Sequence, residues 1–283
     1  MIERAPDDGS AIPRVLPDEL SDGFRRLGLE EGDRIMMHAS LESIGTVDGG
    51  AAMVLHRLLK NIGKNGILFM PTFTSVTRHS STHDNYTKAG CWCEGKESRH
   101  LPFISELQPD KDMGEIAYRL CSWPSSRRSR HPAYSFVAVG ENSDKLVREY
   151  STDDPLQPLK AFLKEDPAVL TVGVGLESVS AIHVAEQRLT PSKFVKERAL
   201  TITSKGQEWV DVTAMGCGGG FKKLAERFGS QKLKETQIGL ATATLYSMRG
   251  LVQVAEKVLH EDSMALTCGR PECLSCILAS THQ

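Results

Sequence analysis

His183 and Glu186 stand at the spacing that most directly suggests chemistry in this chain. Three positions apart on a helix, the two side chains share a face and meet. The carboxylate can then orient the imidazole and carry part of the charge it gains on taking a proton. A general base working on an amine or hydroxyl during acyl transfer has this form. Surface His/Glu pairs have it too, so the pair alone decides nothing. A second candidate is the stretch from His38 through Ser40 and Leu41 to Gly45. Hydroxyls and free N–H groups past the end of an apolar run suit phosphate oxygens, or simply cap the next element. A third is Arg127-Arg128-Ser129-Arg130-His131-Pro132, whose guanidinium groups can meet phosphates or form a solvated charge run beside a proline turn.

The cysteines form the fourth group. Five of the seven fall into two knots, Cys91-Trp92-Cys93 and Cys268-x4-Cys273-x2-Cys276. A C-x2-C knuckle suits tetrahedral Zn²⁺, and Cys91, Cys93, Cys273 and Cys276 make a four-thiolate set if the two segments pack together. Such a site is structural, because four thiolates leave no open position for catalysis. Unrelated thiols and a disulfide are the alternatives. Cys217, beside Gly218-Gly219-Gly220, reads as a small residue in a tight turn, and Cys121 as core filler.

The elements that must position these residues alternate between helix and strand. Leu20, Phe24, Leu27 and Leu29 carry helical spacing, and Arg34 to His38 reads as a strand. Met53 to Ile62 predicts a helix and Gly66 to Pro71 a buried strand stopped by proline. Further on, Met113 to Leu120 predicts a helix, Ser135 to Gly140 and Ala168 to Val174 strands, and Val179 to Leu189 the helix that carries His183. Ala199 to Thr213 alternates as a hairpin, and Leu245 to Leu259 predicts a last amphipathic helix. The succession gives an α/β sheet protein. Residues 1–17, rich in Pro, Asp and Gly, form an arm; the body runs over 18–265, with an irregular insertion over about 72–111, and 266–283 is the Cys-rich tail.

Composition narrows the partners. Of 283 residues, 34 Lys+Arg balance 36 Asp+Glu, a net charge of −2 that offers no general field for nucleic acid or acidic membranes. No run approaches the roughly 20 apolar residues of a membrane span. With an odd number of cysteines in a chain too large to need disulfide staples, a cytoplasmic protein with reduced thiols is expected, binding neither nucleic acid nor membrane.

These motifs, in this order, resemble the antibiotic N-acetyltransferase family, whose best-known members are the aminoglycoside 3-N-acetyltransferases. The resemblance rests on Ile35 to Leu41 with Ile44-Gly45, Gly49-Gly50, Gly66 to Thr74, Met113-Gly114, Arg128 to Pro132 with Ser135, Val172 to Val174, and His183-x2-Glu186. It implies a single large α/β domain of that family's own type, not GNAT, with a mainly mixed sheet flanked by helices. It implies acetyl-CoA as cosubstrate and direct transfer of acetyl to an amine of an aminoglycoside or another amine-bearing metabolite. His183 is then the base, Glu186 its partner, and Ser180, where the family usually has threonine, a hydroxyl near the thioester. His38, Ser40 and Leu41 fall on one cofactor-facing turn, and Arg128, Ser129 and Ser135 on another. The insertion mixes both charges, which does not favour a strongly cationic acceptor. A homodimer is compatible with the sequence. The competing expectation is a zinc-stabilised interaction module that keeps the fold without acetylating anything.

Overall fold

The computed structural model describes residues 14–79 and 100–281, with side chains through residue 278. Twelve strands occur among them in chain order: β1 (Arg14–Val15), β2 (Arg34–Ala39), β3 (Thr46–Val47), β4 (Ile67–Pro71), β5 (Arg78–His79), β6 (Arg127–Arg128), β7 (Phe136–Gly140), β8 (Ala168–Val172), β9 (Lys196–Thr203), β10 (Gly206–Thr213), β11 (Lys232–Ile238) and β12 (Ala241–Ser247). Seven build one mixed sheet in the order β11-β12-β8-β2-β4-β7-β6. Its centre, β8-β2-β4, is parallel, and both flanks are antiparallel. A smaller sheet, β10-β9-β5, stands beside it.

The central strands are apolar at nearly every position because both faces of the sheet are covered. Alternate side chains divide between two cores: Ile35, Met37, Leu68, Met70, Val137 and Leu170 pack with helices Pro17–Arg26 and Gly50–Ile62 on one face. Met36, Phe69, Phe136, Ala138 and Val169 pack with helices Gln157–Leu163, His183–Leu189 and Met248–Glu261 on the other. Phe69 stacks on Phe136 at 5.0 Å and on Phe162 at 4.7 Å, which ties a helix to the sheet.

Two segments differ from their sequence patterns. Leu245, Tyr246 and Ser247 belong to β12, where they pair antiparallel with β8, and the helix starts only at Met248, with Ser247 Oγ accepting from Gly250 N at 3.0 Å. The expected helix from Val179 opens instead as a 3₁₀ turn, Ser180–Ile182, before the α-helix begins at His183. Strand β11 has no apolar signature because it is the sheet's edge, mostly exposed and carrying Lys232, Lys234 and Glu235. Pro17, placed in the arm on sequence grounds, is the first residue of a helix.

His131 of the Arg-rich segment is a structural residue. Its Nδ1 accepts from Ala133 N at 3.2 Å and Tyr134 N at 3.0 Å, which holds the turn after Pro132 and keeps the ring neutral. Burial pushes the His131 pKa down to about 4. No helix among the described residues is long and apolar enough to cross a membrane.

Two stability measurements follow from this architecture. Phe69→Ala removes a fully buried ring from between two others and lowers the unfolding free energy by about 3–5 kcal/mol in chemical denaturation; a loss below about 1 kcal/mol would show that the stack does not hold the helix to the sheet. His131 protonates more readily unfolded than folded. Its contribution is therefore intact above the ordinary histidine value of about 6.5 and is lost as pH falls toward about 4, a term on the order of 3 kcal/mol. The melting temperature should fall across that window and fall less steeply in His131→Asn; parallel slopes in the two proteins would contradict the assignment.

Candidate active site

The parallel strands β2, β4 and β8 end at one edge, where an α/β sheet opens its crevice. A cavity of about 450 Å³ lies there. Met37 and His38 of β2, Met70 and Pro71 of β4 and Val174 after β8 form its sheet side. Glu197 of β9, Arg78 of β5 and the stretch from Ala214 to Cys217 also line it, as do Arg270, Cys273 and Ser275 of the tail.

His183, first residue of its helix, and Ser180, in the preceding 3₁₀ turn, both line this cavity. His183 Nδ1 meets Glu186 Oε2 at 2.6 Å, as the helical spacing predicts. The ring is 5% exposed and packs edge-on against Phe221 at 4.8 Å. Glu186 is wholly buried, and its second oxygen, Oε1, is ion-paired with Lys193, itself 1% exposed. A buried carboxylate needs such partners, because water cannot reach it. Glu186 thus bridges an imidazole from its own helix and an ammonium from the turn beyond it, with Nδ1 the engaged ring nitrogen of His183.

Lys193 escapes sequence reasoning because it lies past Pro191, beyond the helix, where no periodicity relates it to Glu186. Its position is set by the chain turning back: Thr190 N and Oγ1 both donate to Glu186 O, at 2.7 and 3.0 Å, and Lys193 N donates to Thr190 O at 3.1 Å. The tail completes the enclosure, with Ser275 Oγ donating to Lys193 O at 3.3 Å and accepting from Cys217 N at 3.1 Å.

Of the six residues expected to face the cofactor, His38 reaches the cavity. Burial pushes its pKa down to about 4, and its Nε2 is buried with no hydrogen-bond partner among the described residues. The ring is therefore neutral, with its unspent nitrogen enclosed at the cavity wall. Ser40 Oγ instead accepts from Ser43 N at 3.1 Å, capping helix Leu41–Ile44, and Leu41 packs against the first core. Arg128 donates from Nε to Ser135 Oγ at 2.9 Å and Thr72 Oγ1 at 3.2 Å, and from Nη2 to Thr72 O at 2.6 Å. Ser129 Oγ accepts from Phe136 N at 2.9 Å, and Ser135 Oγ donates to Thr72 O at 2.7 Å. These hydroxyls and the guanidinium are occupied within the protein; they fasten β6 and β7 to the chain leaving β4. Asp110 adds to that fastening, since its carboxylate accepts from Ser75 N at 2.8 Å, and burial raises its pKa.

Cys91 and Cys93 lie outside the described residues. Cys273 and Cys276 are buried at the tail, where Cys217 and Cys268 join them, all four sulfurs within 4.8 Å of one another. Cys217, read from sequence as a residue of a tight turn, is thus a member of a cysteine cluster. The Cys273 thiol is pushed up to about 11 by its hydrogen bond to Cys217, which is itself held down.

The family model for aminoglycoside 3-N-acetyltransferase matches residues 36–260. A prophage-derived aminoglycoside N(3′)-acetyltransferase-like protein of Bacillus subtilis, YokD, is 26% identical over 263 residues, 90% of this chain and 96% of that protein. Its crystal structure superposes with a TM-score of 0.78 over 88% of this chain and 100% of that one. Aminoglycoside N(3)-acetyltransferase III of Salmonella is 32% identical over 59% of this chain and 58% of its own length. A structure of AAC-IIIb in binary complex with CoASH, 20% identical, superposes with a TM-score of 0.74 over 88% of this chain and 97% of that one. With the model covering most of the chain and the mixed sheet shared, the protein belongs to the aminoglycoside 3-N-acetyltransferase family of acyltransferases.

Proposed function

We propose that this protein transfers the acetyl group of acetyl-CoA directly to an amine, that of an aminoglycoside or of another amine-bearing metabolite, within a ternary complex. The carrying observation is the 2.6 Å contact of His183 with Glu186 at the wall of the cavity. Family membership supports the acyl transfer, and the CoASH complex of AAC-IIIb supports the donor.

The step needs a base because an ammonium group has no lone pair to attack with. The ammonium first releases one proton to solvent; His183 takes a second at Nε2 as the neutral amine bonds to the thioester carbon, and as the C–S bond breaks the imidazolium returns that proton to the departing sulfur, leaving the amide and CoA thiol. Glu186, braced by its ion pair with Lys193, keeps Nδ1–H in place and balances the imidazolium that forms. The Ser180 hydroxyl, on the same wall, supplies a donor for the developing oxyanion. His38 shapes the cavity wall with a neutral ring. Ser40, Leu41, Arg128, Ser129 and Ser135 act less directly, shaping the ends of β2 and β4 between which the donor molecule would lie.

The cavity lining carries Asp112, Glu177 and Glu197 against Arg78 and Arg270, with Glu197 Oε2 3.6 Å from Arg78 Nε. That balance favours an acceptor with one or two positive charges over a highly charged polycation. An interaction module has no use for a buried imidazole, carboxylate and ammonium at a cavity wall, which places the enzyme first.

Free CoA release, followed over a panel of aminoglycosides and small amines, tests the reading. His183→Ala should lower kcat/KM by about 10²–10⁴-fold against any amine that the unaltered protein acetylates. Turnover undiminished in His183→Ala would end the proposed role, and no CoA release with any amine would end the proposed activity.

A further inference from the structure

The sequence pairs Cys273 and Cys276 with Cys91 and Cys93, but the fold brings different thiols to them. Cys217 comes from the loop after β10, and Cys268 precedes the tail helix Leu274–Thr281. Every pair among the four sulfurs lies within 4.8 Å, and Cys268 Sγ is 3.6 Å from Cys276 Sγ. In a tetrahedral Zn²⁺ site with Zn–S of about 2.3 Å, sulfurs stand about 3.8 Å apart. The group therefore has the size of a four-thiolate cage before any ion enters it.

Its surroundings suit thiolates rather than packed thiols. Gly219 N donates to Cys217 Sγ at 3.3 Å, Cys268 N to Cys276 Sγ at 3.3 Å and Arg270 N to Cys268 Sγ at 3.5 Å. Arg270 Nη2 lies 3.8 Å from Cys217 Sγ, placing a cation beside a cage that would carry net charge −2 with Zn²⁺ bound. Cys273 N closes on Arg270 O at 3.2 Å and Cys276 N on Cys273 O at 3.0 Å, the tight turns that aim the two sulfurs of a C-x2-C knuckle at one point. The glycines next to Cys217 let the tail approach. A Cβ on Gly220 would stand 2.1 Å from Leu266 O, and one on Gly219 3.0 Å from Cys268 Cβ.

We propose that Cys217, Cys268, Cys273 and Cys276 bind one structural Zn²⁺ that clasps the C-terminal tail to the loop after β10. Four thiols bind the ion as thiolates, releasing four protons to solvent. The clasp fixes the two segments that Ser275 joins, Cys217 on one side and Lys193 on the other, so the ion supports from behind the lysine that pairs with Glu186. It takes no part in the transfer. The site depends on the acyl-transfer reading only for that consequence, and its test reads metal, not turnover.

Full-length protein, purified under reducing conditions without added metal, should contain about one Zn per chain by elemental analysis. Cys217→Ser and Cys276→Ser should each lose it, and Cys91→Ser with Cys93→Ser should keep it. Should a single variant fail to fold, Co²⁺ exchanged into the unaltered protein gives the intense thiolate charge-transfer and d–d bands of a tetrahedral four-sulfur site. Protein free of zinc that also takes up no Co²⁺ overturns the proposal, as does a Cys268–Cys276 disulfide under those conditions. Zinc that survives Cys217→Ser but is lost with Cys91 and Cys93 overturns the ligand set. Inactive protein that still carries zinc would count against the acyl-transfer reading and leave the metal site standing.

Discussion

The buried carboxylate of Glu186 is the constraint around which the site is arranged. A charge with no access to water must be met by donors or cations, and Glu186 has one of each, His183 on Oε2 and Lys193 on Oε1. Lys193 is almost as inaccessible, so the pair is stable only if neither partner withdraws. Satisfying the second oxygen requires the chain to leave its helix at Leu189, turn through Thr190 and Pro191 and return. The return brings Lys193 O to Ser275 and hence the tail to the site. The same enclosure that makes the pairing obligatory leaves His183 only 5% exposed at the cavity wall.

The central sheet was legible because burial on two faces leaves few choices of residue. Continuous apolar runs at β2, β4, β7 and β8 could only be interior strands, and the residues at their ends, His38 and Pro71, mark the crevice edge. His183 and Glu186 were legible for a geometric reason, since three residues on a helix fix a distance. Edge strand β11 was not, because an edge strand facing water is allowed to be polar.

Charge-rich motifs were the least informative. Arg128 beside Ser129 and Ser135 has the composition of an anion site, yet its donors go to Thr72, Ser135 and Leu107 O, all within the protein. A guanidinium with five N–H groups serves a ligand's oxygens and main-chain carbonyls equally well, and only the fold decides which come within reach. Lys193 was invisible for the opposite reason. A lone lysine after a proline has the sequence character of a surface residue; its burial follows from a turn and a tail contributed by segments up to 82 positions away.

Distant contacts also explain why the cysteines resisted pairing by spacing. Two of the four, Cys273 and Cys276, belong to a local knuckle that any reader of the sequence sees, whereas Cys217 is a contribution of topology. The glycines around it had looked like a turn, and they are needed because the tail's backbone passes where side chains would otherwise stand. A helix as short as Leu274–Thr281 has little stability of its own, so its place against the body depends on contacts at its start. Those contacts are Cys273, Ser275 and Cys276, all buried, in a tail that also presents Arg270 to the cavity. Tail docking and cavity shape are therefore one structural event, and any force that fixes the four sulfurs also fixes that cavity wall.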